Sequence, residues 1–225
     1  MLPWGEDMSD ADDCRQWSLY RKRTAAQDPR CPPNILVWLS LESDHTVQTN
    51  LASNPRCPTL ALDRLSDSSS PKVRAAVAGH PACTEEMILR LAQDPLRSVQ
   101  LQATRHPRCT VSVLQLSAEN PDWSVRSAVA AHRKCPPDIL RELALDPHFQ
   151  VRRAVARNRQ CPPSVLQRLS ASPEWEVRWE VAKNPNTAVR TISALLQDAE
   201  SAVAASAAQH PQCPEEYRVL GDIVR

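Results

Sequence analysis

The chain has 225 residues, 42% of them hydrophobic and 24% charged, and a net charge of +1. No apolar run approaches the roughly 18 residues of a membrane-spanning helix, and no secretory apolar segment follows Met1, so the sequence predicts a soluble, cytoplasmic protein with no membrane partner. With three glycines there is little from which to build a phosphate-cradling loop. No Ser/His/Asp or Cys/His set recurs and no carboxylate pair stands out, which argues against an enzyme and gives no cofactor.

In chain order, residues 1–13 carry Glu6, Asp7, Asp10, Asp12 and Asp13 and no base, which predicts a solvated, disordered tail. The remainder holds 27 bases against 21 acids, a balance of +6. That is mildly basic, well short of a dedicated DNA-binding composition. Residues 14–30 read as an N-terminal cap, a half unit with Ala25-Ala26 and Asp28-Pro29-Arg30 at the phases of a second helix. Cysteine then recurs every 26 residues, at Cys31, Cys57, Cys83, Cys109, Cys135 and Cys161. Thr187 takes the next beat and Cys213 the one after. A period this strict marks one structural unit copied and stacked. Seven units span 31–212, and 213–225 form a C-terminal cap that keeps only the first helix.

Numbered from its cysteine, each unit predicts two short helices. Pro136-Pro137 and its equivalents suit a helix start, and apolar residues follow at helical spacing, as in Ile139, Leu140 and Leu143. Asp94-Pro95, Asn120-Pro121, Asp146-Pro147 and Ser172-Pro173, at phases 12 and 13, predict an N-cap followed by the first turn of a second helix. Val125, Ala128 and Val129 form its buried stripe. Asn or His at phase 24, usually followed by Pro, predicts a left-handed C-cap and a stop: Asn54-Pro55, His80-Pro81, His106-Pro107, Asn184-Pro185, His210-Pro211. Strand signals are absent. Helices of about eight to ten residues do not persist alone in water, so their stability comes from neighbours. Two units are degenerate: 187–212 loses the Cys and most prolines, and 109–134 has Leu116 at phase 8 and Ser117 at phase 9, where a core Leu belongs.

The recurring pattern N/H-P-x-C-P-P-x-L-L-x-x-L-A-x-D-P-x-x-x-V-R-x-A-V-A resembles the leucine-rich repeat variant, found mainly in bacteria. It covers about 31–220. The resemblance implies an all-α, armadillo-like fold: a right-handed superhelical solenoid in which α and 3₁₀ helices alternate. A member of that family carries an iron–sulfur cluster in a Cys-rich N-terminal region. Here only Cys14 precedes the repeats, and a cluster needs four thiolates, so the cluster is not carried over.

The cysteines read as small buried hydrophobes. Equivalent positions in stacked helices lie roughly 8–10 Å apart, too far for a disulfide or a shared metal. His80/Cys83, His106/Cys109, His132/Cys135 and His210/Cys213 leave a metal- or redox-linked alternative, but Asn replaces His in other units and nothing supplies further ligands.

Two sets of residues suggest a binding surface. Phase 18 forms a column of Arg74, Arg126, Arg152 and Arg178, with Gln48 and Gln100. It reads either as local pairing with the Asp column or as a cationic strip. Further bases fall at phase 23 (Arg105, Arg157, Lys183) and phase 26 (Arg30, Arg56, Arg108, Lys134). Trp123, Phe149 and Trp175 at phase 15, with Trp179 and Arg153 at phase 19, point away from the buried stripe. Aromatics beside Arg have the composition of a binding hot spot. The sequence thus predicts a scaffold binding a protein partner through Trp123, Phe149, Trp175, Trp179, Arg126, Arg152, Arg153 and Arg178. The alternative is a nucleic-acid-binding solenoid using Arg columns and aromatic stacking. Oligomeric state is not legible.

Overall fold

The computed structural model describes residues 13–215 and 217. The expected acidic tail, except its last residue, and most of the expected C-terminal cap lie outside them. The described residues hold fifteen α-helices, one short 3₁₀ helix (Asp13–Gln16) and no strand. The chain divides into two compact units, 1–109 and 110–225.

In the first unit the helices are α1 (Leu19–Gln27), α2 (Pro33–Leu39), α3 (His45–Ala52), α4 (Thr59–Ser66), α5 (Pro71–Ala78), α6 (Glu85–Leu91) and α7 (Arg97–Arg105). Helices α1, α3, α5 and α7 pack side by side in one layer, and α2, α4 and α6 form the other. The second unit repeats the plan with α8 (Val111–Ala118), α9 (Trp123–Ala131), α10 (Pro137–Leu143), α11 (Phe149–Arg157), α12 (Pro163–Leu169), α13 (Trp175–Lys183), α14 (Val189–Leu195) and α15 (Ser201–Ala208). Here α9, α11, α13 and α15 lie side by side, each on the next. Each unit is thus a solenoid of two-helix repeats.

The phases explain the core. Ile35, Leu36 and Leu39, and their equivalents through Ile192 and Leu195, are buried from the first helices. Val73, Val77, Val125, Val129, Val151 and Val155 are buried from the second. A seven-residue helix such as α10 closes few bonds of its own. Its prolines, Pro136 at the N-cap and Pro137 at the first position, pre-set its opening backbone.

Three local expectations are corrected. Both helices of every repeat are α-helical, so the implied α/3₁₀ alternation is absent from the described repeats. Tight i→i−3 bonds are confined to helix ends and turns, as where Ile35 N–H donates to Pro32 O at 3.1 Å and Asn54 N–H to Leu51 O at 3.0 Å. Second, Asp94, Asn120 and Asp146 do not cap helices. Those helices begin three residues later, with Leu96, Asp122 and His148 at the N-caps. The earlier side chain instead closes a local turn, accepting from the N–H two residues on: Leu96 onto Asp94, Asp122 onto Asn120 and His148 onto Asp146. Third, the Asn and His of phase 24 are extended and not left-handed: His132 sits at φ −71°, ψ 131° and Asn158 at φ −69°, ψ 127°. No described non-Gly residue has positive φ.

Candidate functional site

The phase-24 column explains that extended backbone. His80 Nε2 donates to Asn54 O at 2.8 Å, and His106 Nε2 to His80 O at 3.1 Å. In the second unit Asn184 Nδ2 donates to Ala156 O and Asn158 O, and His210 Nε2 to Asn184 O. The far side of each group accepts the N–H two residues on, as where Ala82 N–H donates to His80 Nδ1 and Gln160 N–H to Asn158 Oδ1. Both ring nitrogens of His80, His106 and His210 are thereby engaged within the fold, leaving no lone pair for a metal. Asn and His interchange here because both present a donor and an acceptor at opposite edges. No cluster of three or more His, Cys, Asp or Glu among the described residues is arranged to hold a metal ion.

All eight cysteines are buried, and none is in a disulfide. Burial pushes the Cys57 and Cys135 thiols up to about 12 and Cys83 up to about 11. That is the opposite of the depressed value and exposure that a reactive thiol requires. Thr187 replaces the cysteine by turning its hydroxyl onto Val181 O at 2.6 Å.

The phase-18 arginines adopt the local-pairing arrangement. Arg126 donates through Nε and Nη2 to Asp146 at 2.6 and 2.9 Å, and through Nη1 to Asn120 O and Pro121 O. Arg74 treats Asp94 alike, and Arg178 treats Asp198 alike. Arg152 reaches Glu174 at 2.7 Å, because the next repeat carries Ser172 at the position where Asp94, Asp146 and Asp198 serve the other three arginines. Ser172 supports that carboxylate by donating to it at 2.8 Å. Gln100 makes the carbonyl bond, to Asp94 O. These guanidiniums are staples between consecutive repeats. Arg126 and Asp146 keep side-chain exposures of 15% and 5%.

The four aromatic residues of the expected patch fall into three groups, all on second helices of residues 110–225. Trp123, 41% exposed, stacks on His148 with centroids 4.2 Å apart and rings 1° from parallel. His148 also stacks on Phe149 at 5.6 Å. Half-buried Trp179 lies beneath the Lys183 ammonium, 3.8 Å from the ring centroid. Trp175, 42% exposed, touches no other ring among the described residues. Arg153 pairs with Glu180 at 3.3 Å. His148 and Lys183 had no place in the aromatic cluster read from the sequence. The signal for His148 was present, since it directly precedes the phase-15 aromatic, but its stacking on Trp123 depends on how neighbouring repeats are offset.

Stacked two-helix repeats, fastened to one another by staples, define a repeat-scaffold fold. Comparison sharpens the class. A solved structure described as "a leucine-rich repeat variant with a novel repetitive protein structural motif" matches with a TM-score of 0.69 and 25% identity, over 89% of this chain and 85% of that one. The repeats of this chain resemble those of that leucine-rich repeat variant in fold. No family model and no curated protein matches it.

Proposed function

We propose that the protein is a non-catalytic scaffold that docks a partner protein on the second-helix surface of residues 110–225. The observation supporting this reading is that Trp123 and Trp175 stand in solvent on helices whose opposite stripe buries Val125 and Val177 completely. Large, rigid aromatic rings give much contact area at little entropic cost, which is why they dominate docking hot spots. The stack of Trp123, His148 and Phe149 holds its rings in place before a partner arrives. Nucleic acid is the weaker reading, because Arg126, Arg152 and Arg178 already face carboxylates.

Affinity capture with the wild type and with the Trp123→Ser/Trp175→Ser variant, each shown to be folded by circular dichroism, tests this. A protein retained by the wild type and lost by the variant supports the assignment. Equal capture by both, or capture abolished by nuclease, overturns it.

A further inference from the structure

We infer that a groove at the C-terminal ends of α9 and α11 binds an acidic, extended segment of the partner protein, an inference that rests on the docking role proposed above. The groove has a volume of about 440 Å³, with Ala131 and Ala154 among its lining and Arg133, Arg157 and Arg159 around them. All three arginines are exposed and none forms an ion pair among the described residues. They contrast with Arg126, Arg152 and Arg178, each of which has a carboxylate partner.

A second observation comes from the repeat itself. Phase 25 is proline at Pro29, Pro55, Pro81, Pro107, Pro185 and Pro211. Only the two consecutive repeats that line this groove carry Arg there, Arg133 and Arg159. The fold does not require the change. His132 and Asn158, which precede the arginines, have the same extended backbone as His106 and Asn184, which precede prolines. Helix-dipole complementarity accounts for Arg157 on the last residue of α11, but Arg133 and Arg159 lie past the helix ends in the turns.

The geometry selects the occupant. Equivalent positions of adjacent helices lie roughly 8–10 Å apart, and an extended chain advances about 3.3 Å per residue. Carboxylates two or three residues apart on an extended segment therefore match Arg133 and Arg159, each forming a charge-assisted fork. The small side chains of Ala131 and Ala154 leave room for the segment's backbone. Single-stranded nucleic acid fits less well. Its bases want stacking partners, and Trp123 and Phe149 sit at the opposite ends of α9 and α11, about 12 Å away along the helix.

Fluorescence anisotropy tests the assignment, with a labelled peptide of alternating Glu and Ala as probe and the full chain as titrant. The peptide should bind the wild type, weaken as sodium chloride rises, and lose about tenfold or more in affinity with Arg133→Pro/Arg159→Pro and with Arg157→Glu. The proline variant restores the repeat's own residue, so its fold is retained. Unchanged affinity in the variants overturns the inference. So does a labelled oligothymidylate that binds more tightly than the peptide at equal salt and is lost on the same variants. Partner capture that depends on Trp123 and Trp175 but is unaffected by the arginine variants would overturn the groove while leaving the docking face standing.

Discussion

The Arg178 guanidinium grips Asp198 with two hydrogen bonds, Nε at 2.7 Å and Nη2 at 2.8 Å, across 20 residues of sequence. The same guanidinium holds Ser172 O and Pro173 O of its own repeat. One side chain thus fastens the loop of its repeat to the loop of the next. Asp198→Asn should cost about 1–3 kcal/mol, because it leaves a half-buried cation without its counter-charge. Urea unfolding at neutral pH measures this.

Acid should loosen the same fastening. The hydrogen bond from Arg178, with lesser help from the Glu200 N–H, holds the Asp198 carboxyl below its ordinary value. Arg23 similarly lowers Asp44 to about 2. A carboxyl depressed in the folded state contributes stability that is complete above its unfolded value of roughly 3.9 and disappears as pH falls through the folded value. Stability should therefore fall between about pH 4 and about pH 2, with a shallower slope in Asp198→Asn. Thermal melts across that range check the sign.

The phase-24 ladder offers a second stability test. Asn184 donates to Ala156 O and Asn158 O and accepts from Asn186 N–H at 3.0 Å. Asn184→Ala removes all three bonds and strands buried carbonyls, with an expected cost of about 2–4 kcal/mol. Asn184→His, the residue found at His80 and His210, should recover most of it. Denaturation midpoints of the two variants decide whether the column works by its donor–acceptor pair.

Restoring proline at phase 25 should stabilise the fold. The residue before each site is already extended, as proline demands. Arg133→Pro and Arg159→Pro should each add about 0.4–1 kcal/mol by restricting the unfolded chain. A variant that gains stability while losing the acidic peptide would separate the arginines' binding role from any structural one.

The thiols should be silent until the chain unfolds. All eight are buried, and desolvation keeps Cys31, Cys57 and Cys161 protonated, with values pushed up to about 12. Titration with a thiol reagent at neutral pH should give no fast phase in the native protein and eight equivalents in denaturant. A fast native equivalent would restore the redox reading.

The cysteine beat determined the period, and the proline and apolar phases locked to it determined the two helices of each repeat and nearly every core position. Periodicity of burial is local, and Ile139, Leu140 and Leu143 declare a helix face without reference to anything distant. Even the degenerate repeat was legible: Ser117 is buried where leucine belongs, and Leu116 is left in solvent. Tertiary structure decided what the polar columns do. Asp94 and Asp146 look like helix caps along the chain, but stacking brings an arginine from 20 residues earlier onto each, and they become anchors. The same sequence signal, a column of arginine, is spent at phase 18 and free at phase 25. The difference lies in whether a carboxylate of the next repeat falls within reach, a distance fixed by how the repeats are offset and by nothing in either residue.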